Sequence, residues 1–457
     1  MPDPGSDFDA LAEEFYAVWF RFRPDLALAA GAPGHRCLLP AQDDDELAAL
    51  AGWLESLLLA LDEIDLSGLD PDRRLDYALM AGAARVEHRE LQAFDWRRRD
   101  PLRFLPLGEI HRLTLGSPEG LRDWLAQLLA RIPEHLRHAQ GQLRAAAPAL
   151  APVLVRAAVR EAEEGRCYLR ELIRGPWLGG RARDLPELED LAELACDALA
   201  DLRGLLVSEL LPAAAGPLGC GEAHLLLRLM ELHFLDTDAG SAAAALTRAL
   251  DRVEDEIRRC PTPVGARGSA SVAEPAEGPD YQTLCDELRR EIQASGLVTL
   301  PEMDLRLGIR PQCPGPGRSG VQYLAQGPGA GTLYLPPRGL GEPPWDADHL
   351  RDLCLSAGWG GDHLFAFGAR RRSGSMPRRL ANGRSLTLGW HLYLDRRLWG
   401  ESGSGQGHAL AALKRQRELL LLGQLDLDLH RGLIAADQAL TRLADLGLDG
   451  AAAEARL

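Results

Sequence analysis

With 457 residues, 46% hydrophobic and 26% charged, the chain can bury a sizeable core as two or three ordinary domains or as one extended helical body. Its formal net charge of −16 argues against nucleic acid and anionic membranes as partners, which carry the same sign. Lys414 is the only lysine, so the cationic side is almost all arginine.

Met1-Pro-Asp-Pro-Gly-Ser-Asp7 has no cationic stretch followed by an apolar run, so no secretory signal is expected there. Ser6 is placed to cap a first helix, with Phe8, Leu11, Phe15, Val18, Trp19 and Phe22 near one face until Pro24 ends it. Asp70-Pro71 opens another amphipathic run through Leu75, Leu79 and Val86 toward Leu91. Ser117-Pro118-Glu119 reads as a cap with proline in the first turn, followed at helical spacing by Leu121, Trp124, Leu125, Leu128 and Ile132. Similar periodicity covers roughly 148–173, 184–211, 222–235 and 241–260, so residues 1–260 are expected to form a helical N-terminal region.

Residues 261–279 change composition to Pro, Gly, Ser and Ala with no periodic apolar face, and are expected to form a flexible loop. A short helix near Tyr281–Ala294 precedes two short strands, Gly320–Ala325 and Thr332–Leu335, separated by Gly-Pro turns as a small β hairpin. Helices resume at about Asp346 and complete a C-terminal region, 280–457, that is expected to be continuous with the rest. The fold class expected is mainly α with a small β hairpin. No segment approaches eighteen uninterrupted apolar residues, so none should span a membrane. Eight scattered cysteines without a Cys-x-x-Cys pair read as reduced thiols, and cytoplasmic residence is the expectation.

The most informative segment is Ser356-Ala-Gly-Trp-Gly-Gly-Asp-His363. Upstream lie Gly331-Thr-Leu-Tyr-Leu335 and Trp345-Asp-Ala-Asp-His-Leu350; downstream lie Gly389-Trp-His-Leu-Tyr-Leu-Asp395 and Leu425-Asp-Leu-Asp-Leu-His430. In that order and spacing they resemble the bacterial family known as domain of unknown function 885, zinc-metallopeptidase-like proteins. Members carry a His-Glu-x-x-Pro-Gly-His block, a Glu-Gly-Trp-Ala-x-Tyr-x-Glu helix and an Asp-x-Gly-x-His block. The resemblance implies a large helical body around a cleft, with the hairpin beside it. It also implies further helices after the third block, so a chain ending at Leu457 reads as a shortened member.

Position by position, the resemblance puts Ser356 and Ala357 where the family has its first His and the Glu beside it, and Asp362 where it has its second His. Leu388 stands for the Glu before Gly389-Trp390, whereas Tyr393, Asp395, Asp426 and His430 match family positions. Trp359, Trp390 and Tyr393 are then candidates to line the cleft.

A catalytic zinc needs about three protein ligands and an open position for water. Ser356 is a poor ligand, Leu388 is none, and Ala357 can move no proton, which removes a general base worth roughly 10²- to 10⁴-fold. No His in the chain is followed directly by Glu, so no displaced His-Glu-x-x-His motif replaces the site. Ligands six residues apart lie about 240° apart after one full turn of an ideal helix, so the family site requires a broken helix, and Gly358, Gly360 and Gly361 supply a break here. The expectation is a non-catalytic relative that binds a peptide or protein partner and carries no cofactor.

The alternative is a metal-dependent hydrolase with a rebuilt site drawn from His363, His391, Asp395, Asp426 and His430, which would hold zinc or a similar divalent ion. His391 and Asp395 share a helix face four residues apart. The plainer reading makes them a surface pair and leaves His363 and His430 bonded to backbone in a polar core. Two weaker features are the His135/His138 pair beside Glu134 and the arginines 370–372, 378, 379 and 384. Both are most simply solvated faces.

Overall fold

The computed structural model describes residues 3–454 apart from 33, 36, 116–118, 179–185, 261–280, 316–320, 327–328, 338–346, 373, 382, 401–405 and 446–452. The expected loop at 261–279 and the Ser117-Pro118 cap therefore lie outside the described residues. The rest is mainly helical with one small sheet.

The first helix, Pro4–Phe22, is capped by Asp3 instead of Ser6: the Asp3 carboxylate accepts from the Gly5 amide at 3.2 Å. Pro4 explains the earlier start, because its fixed φ and missing N–H suit the first helical position. Asp70 caps Pro71–Ala93 as expected, accepting from the Arg73 amide at 2.8 Å. Phe8, Phe15, Trp19 and Phe20 face inward onto Leu50, Leu54 and Met80, which makes an aromatic-rich N-terminal core. A second core fills the space between the helices Leu121–Ala146, Pro152–Arg174 and Pro186–Leu205, with Leu125, Leu136, Leu169 and Leu199 fully buried.

The third core sits under the sheet. The strands β1 (Asp304–Ile309), β2 (Gln322–Ala325) and β3 (Ala330–Leu335) run in the order β1-β3-β2. β2 and β3 form the expected hairpin, antiparallel with Tyr323 opposite Leu333. β1 was not anticipated; it pairs parallel to β3, with Leu305 opposite Gly331. Leu305, Leu333 and Leu335 bury against Leu288 and Ile292 of the helix Tyr281–Ser295, and against Trp359 and Leu394.

The C-terminal region is keyed to the N-terminal helices by charge. Arg378 donates to Asp76 at 2.8 Å, and Arg396 pairs with Glu256 at 2.7 Å. No helix among the described residues is long and apolar enough to cross a membrane.

Candidate functional site

The helix Ala347–Leu353 runs into a π-helical turn, Cys354–Trp359, and breaks at Gly358, whose φ of −107° and ψ of −117° are not helical. A new helix, Asp362–Arg372, starts three residues beyond Trp359. The glycines thus break the chain where the spacing predicted. A Cβ at Gly361 would run into the Ser356 carbonyl and the Nε2 of His391, so only glycine allows this approach. The Ser356 hydroxyl turns back onto the Leu353 carbonyl at 3.4 Å. Ala357 packs partly buried against the third core, and Asp362 is exposed in the first turn of its helix.

The helix Arg384–Gly400 lies across this turn. Trp390 donates its indole N–H to the Gly360 carbonyl at 2.8 Å and stacks on Tyr393 with ring centres 5.5 Å apart. Leu388 and Tyr393 are 45% and 48% exposed on this helix. Trp359, expected to line the cleft, is instead a core residue, 1% exposed. Its indole donates to the Cys285 carbonyl at 2.9 Å, and Arg289 covers the ring at 4.8 Å.

The histidines and aspartates proposed for a rebuilt metal site fall into separate systems. His363 is 1% exposed, with Nδ1 2.8 Å from the Tyr323 hydroxyl and Nε2 without a hydrogen-bond partner among the described residues. Burial pushes its pKa down to about 4. His391 also has a buried, unpartnered Nε2, and burial lowers its pKa too. Asp395 does not pair with His391: it accepts both Arg415 bonds, at 2.9 and 3.0 Å, while Arg415 also reaches Asp352 at 2.7 Å. Burial raises the Asp395 pKa and Arg415 opposes that rise.

Asp426 and His430 lie at the far end of the helix Gln406–His430, eleven or more residues beyond Arg415, which is about 16 Å at 1.5 Å per residue. His430 Nε2 meets Asp426 at 3.3 Å, and its Nδ1 meets the backbone N–H and Sγ of Cys220, both at 3.0 Å. The Asp426 hydrogen bond, then that of Cys220, raises its pKa to about 10. Among the described residues no three His, Cys, Asp or Glu side chains converge as metal donors. The residues at the family's zinc positions do not fit the ion either, since Ser356 bonds its own helix and Leu388 offers no donor atom.

The weaker features resolve locally. His135 turns inward, 3.1 Å from the Phe104 carbonyl and beside Gln42, with its pKa lowered to about 4 by burial; His138 is exposed. Arg378 is a clamp between regions, not a free basic loop. The contacts of Cys220 with His430 and of Arg415 with Asp395 had no local sequence signal, because 210 and 20 residues separate the partners.

A cavity of about 260 Å³ lies outside these blocks. It is walled by Tyr16, Trp19 and Leu79 and carries Arg23, Arg228, Glu87, Glu90 and Glu231.

No family model matches the sequence, and no curated protein matches it. Two solved structures share the fold. A putative lipoprotein of unknown function from Shewanella oneidensis is 16% identical and superposes with a TM-score of 0.67 over 98% of this chain and 88% of that one. A putative lipoprotein from Colwellia psychrerythraea is 15% identical with a TM-score of 0.73 over the same shares.

Proposed function

We propose that the chain is a relative of the zinc-metallopeptidase-like family, domain of unknown function 885, that is non-catalytic at the zinc position and binds a peptide or protein partner. One observation supports this above the others: the turn from Ser356 to Asp362 retains its break and its packing under His391 while every reactive position carries an inert or misdirected side chain. Binding is assigned to the charged cavity, because a peptide brings both signs of charge together with apolar side chains and this wall offers partners for each. Residence in the cytoplasm belongs to the same proposal.

Incubation with a degenerate peptide pool, read by mass spectrometry, tests both halves. Retained peptides are expected to stay intact, and retention should fall when Arg228 and Glu231 are replaced by Ala. Chelator-sensitive cleavage would overturn the non-catalytic half, and no retention would overturn the binding half.

A further inference from the structure

Cys220, His430 and Asp426 stand in a line. The sulfur is 3.0 Å from Nδ1 of His430, and Asp426 is 3.3 Å from Nε2 on the other side of the ring. The Cys220 backbone N–H also approaches Nδ1 at 3.0 Å, which anchors the loop against the ring. The thiol and the carboxylate therefore occupy opposite sides of the imidazole, an order suited to passing a proton and unsuited to caging a cation.

Two glycines build the site. A Cβ at Gly219 would strike the Leu429 carbonyl, so glycine there lets the loop lie against the helix end and brings Cys220 to His430. Gly221, at φ 87°, is the N-cap of the helix Glu222–His233 and provides no side-chain cap. A cleft of about 700 Å³ opens next to the loop, with Leu218, Gly219, Leu429 and Leu433 among its walls.

We propose that Cys220, His430 and Asp426 form a thiol-dependent acyl-transfer site for esters or thioesters with an apolar acyl group, with Cys220 as nucleophile, His430 as base and Asp426 as the residue that orients the ring. The Cys220 proton is held on Nδ1 as the second proton of a ring whose pKa Asp426 and Cys220 raise to about 10, and the sulfur attacks the acyl carbonyl. Collapse of the tetrahedral adduct breaks the bond to the leaving alcohol or thiol, which takes the proton from His430. Water, deprotonated by the same nitrogen, then hydrolyses the thioester and releases the acid. The site is independent of the zinc-position reading, since it lies at the other end of the Gln406–His430 helix from Arg415.

The full chain is treated with p-nitrophenyl butyrate, and acylation of each cysteine is followed by peptide mapping. Cys220 should acylate at least ~10-fold faster than the exposed Cys167. Cys220→Ser should abolish the p-nitrophenolate burst, His430→Gln should slow it about 100-fold, and Asp426→Asn should slow it less. The buried Cys196, Cys285, Cys313 and Cys354 report the fold in the same digest. Equal rates at Cys220 and Cys167 in the wild-type chain would overturn the proposal. So would an unchanged rate in His430→Gln.

Discussion

The indole N–H of Trp390 reaches the Gly360 carbonyl across 2.8 Å, and this bond joins the second family-like block to the first. It holds the Arg384–Gly400 helix over the broken turn, with His391 against Gly361. On the proposed reading, this is a water-activating framework kept without the groups that would hold a metal.

Trp390→Phe keeps most of the ring and removes the donor, leaving a buried carbonyl unpaired at Gly360. A loss of about 1–3 kcal/mol is expected in urea unfolding. An unchanged midpoint would mean that the turn stands without the helix.

Gly361→Ala puts a methyl group into the Ser356 carbonyl and the His391 ring, neither of which can retreat cheaply. Over-packing of this kind costs about 1–3 kcal/mol, so a fall in the thermal midpoint is expected. Gly389→Ala, on the same region but with open space around it, should be neutral or slightly stabilising. Equal effects for the two would contradict the packing described for the turn.

Arg415 holds Asp395 and Asp352 together, so Arg415→Met leaves a largely buried carboxylate without its cation. Removing Arg415 removes the influence that opposes burial, so the folded pKa of Asp395 climbs further above its unfolded value. The destabilisation is then largest at neutral pH and shrinks as the pH falls and the carboxyl takes up a proton. Guanidinium unfolding at pH 7.5 and pH 5 measures the difference; a larger loss at pH 5 would refute it.

The histidines predict the pH profile of the whole fold. Burial holds His135 and His363 near pKa 4, below the ordinary 6.5. Between those values the unfolded chain binds more protons, so their contribution is full above pH 6.5 and is lost toward pH 4. His430, raised to about 10, contributes fully below 6.5 and loses that contribution as the pH climbs to 10. Urea unfolding across pH 4.5 to 9.5 should show a maximum between the two losses. His363→Gln, which keeps an acceptor for Tyr323, should flatten the acid limb alone.

Much of the fold was legible because the pattern is local. Helical spacing placed the main runs, and Asp70-Pro71 signalled a true cap. Ser6 misled because Pro4 starts the helix earlier, and β1 escaped notice because its parallel partner β3 lies more than twenty residues on. At the site, the glycine break was visible at Gly358, Gly360 and Gly361, whereas the fate of the surrounding polar groups was not. Asp395 belongs to Arg415 and His430 to Cys220, pairings set by how the helices pack. Trp359 is in the core for the same reason: an aromatic beside glycines reads equally well as a cleft wall or a buried anchor.

Elemental analysis of freshly purified, chelator-free protein tests the central claim most directly. The account predicts zinc and other divalent metals well below one atom per chain, and no gain on dialysis against zinc. One tightly held zinc per chain, lost together with peptide cleavage on chelation and restored with it, would contradict the account.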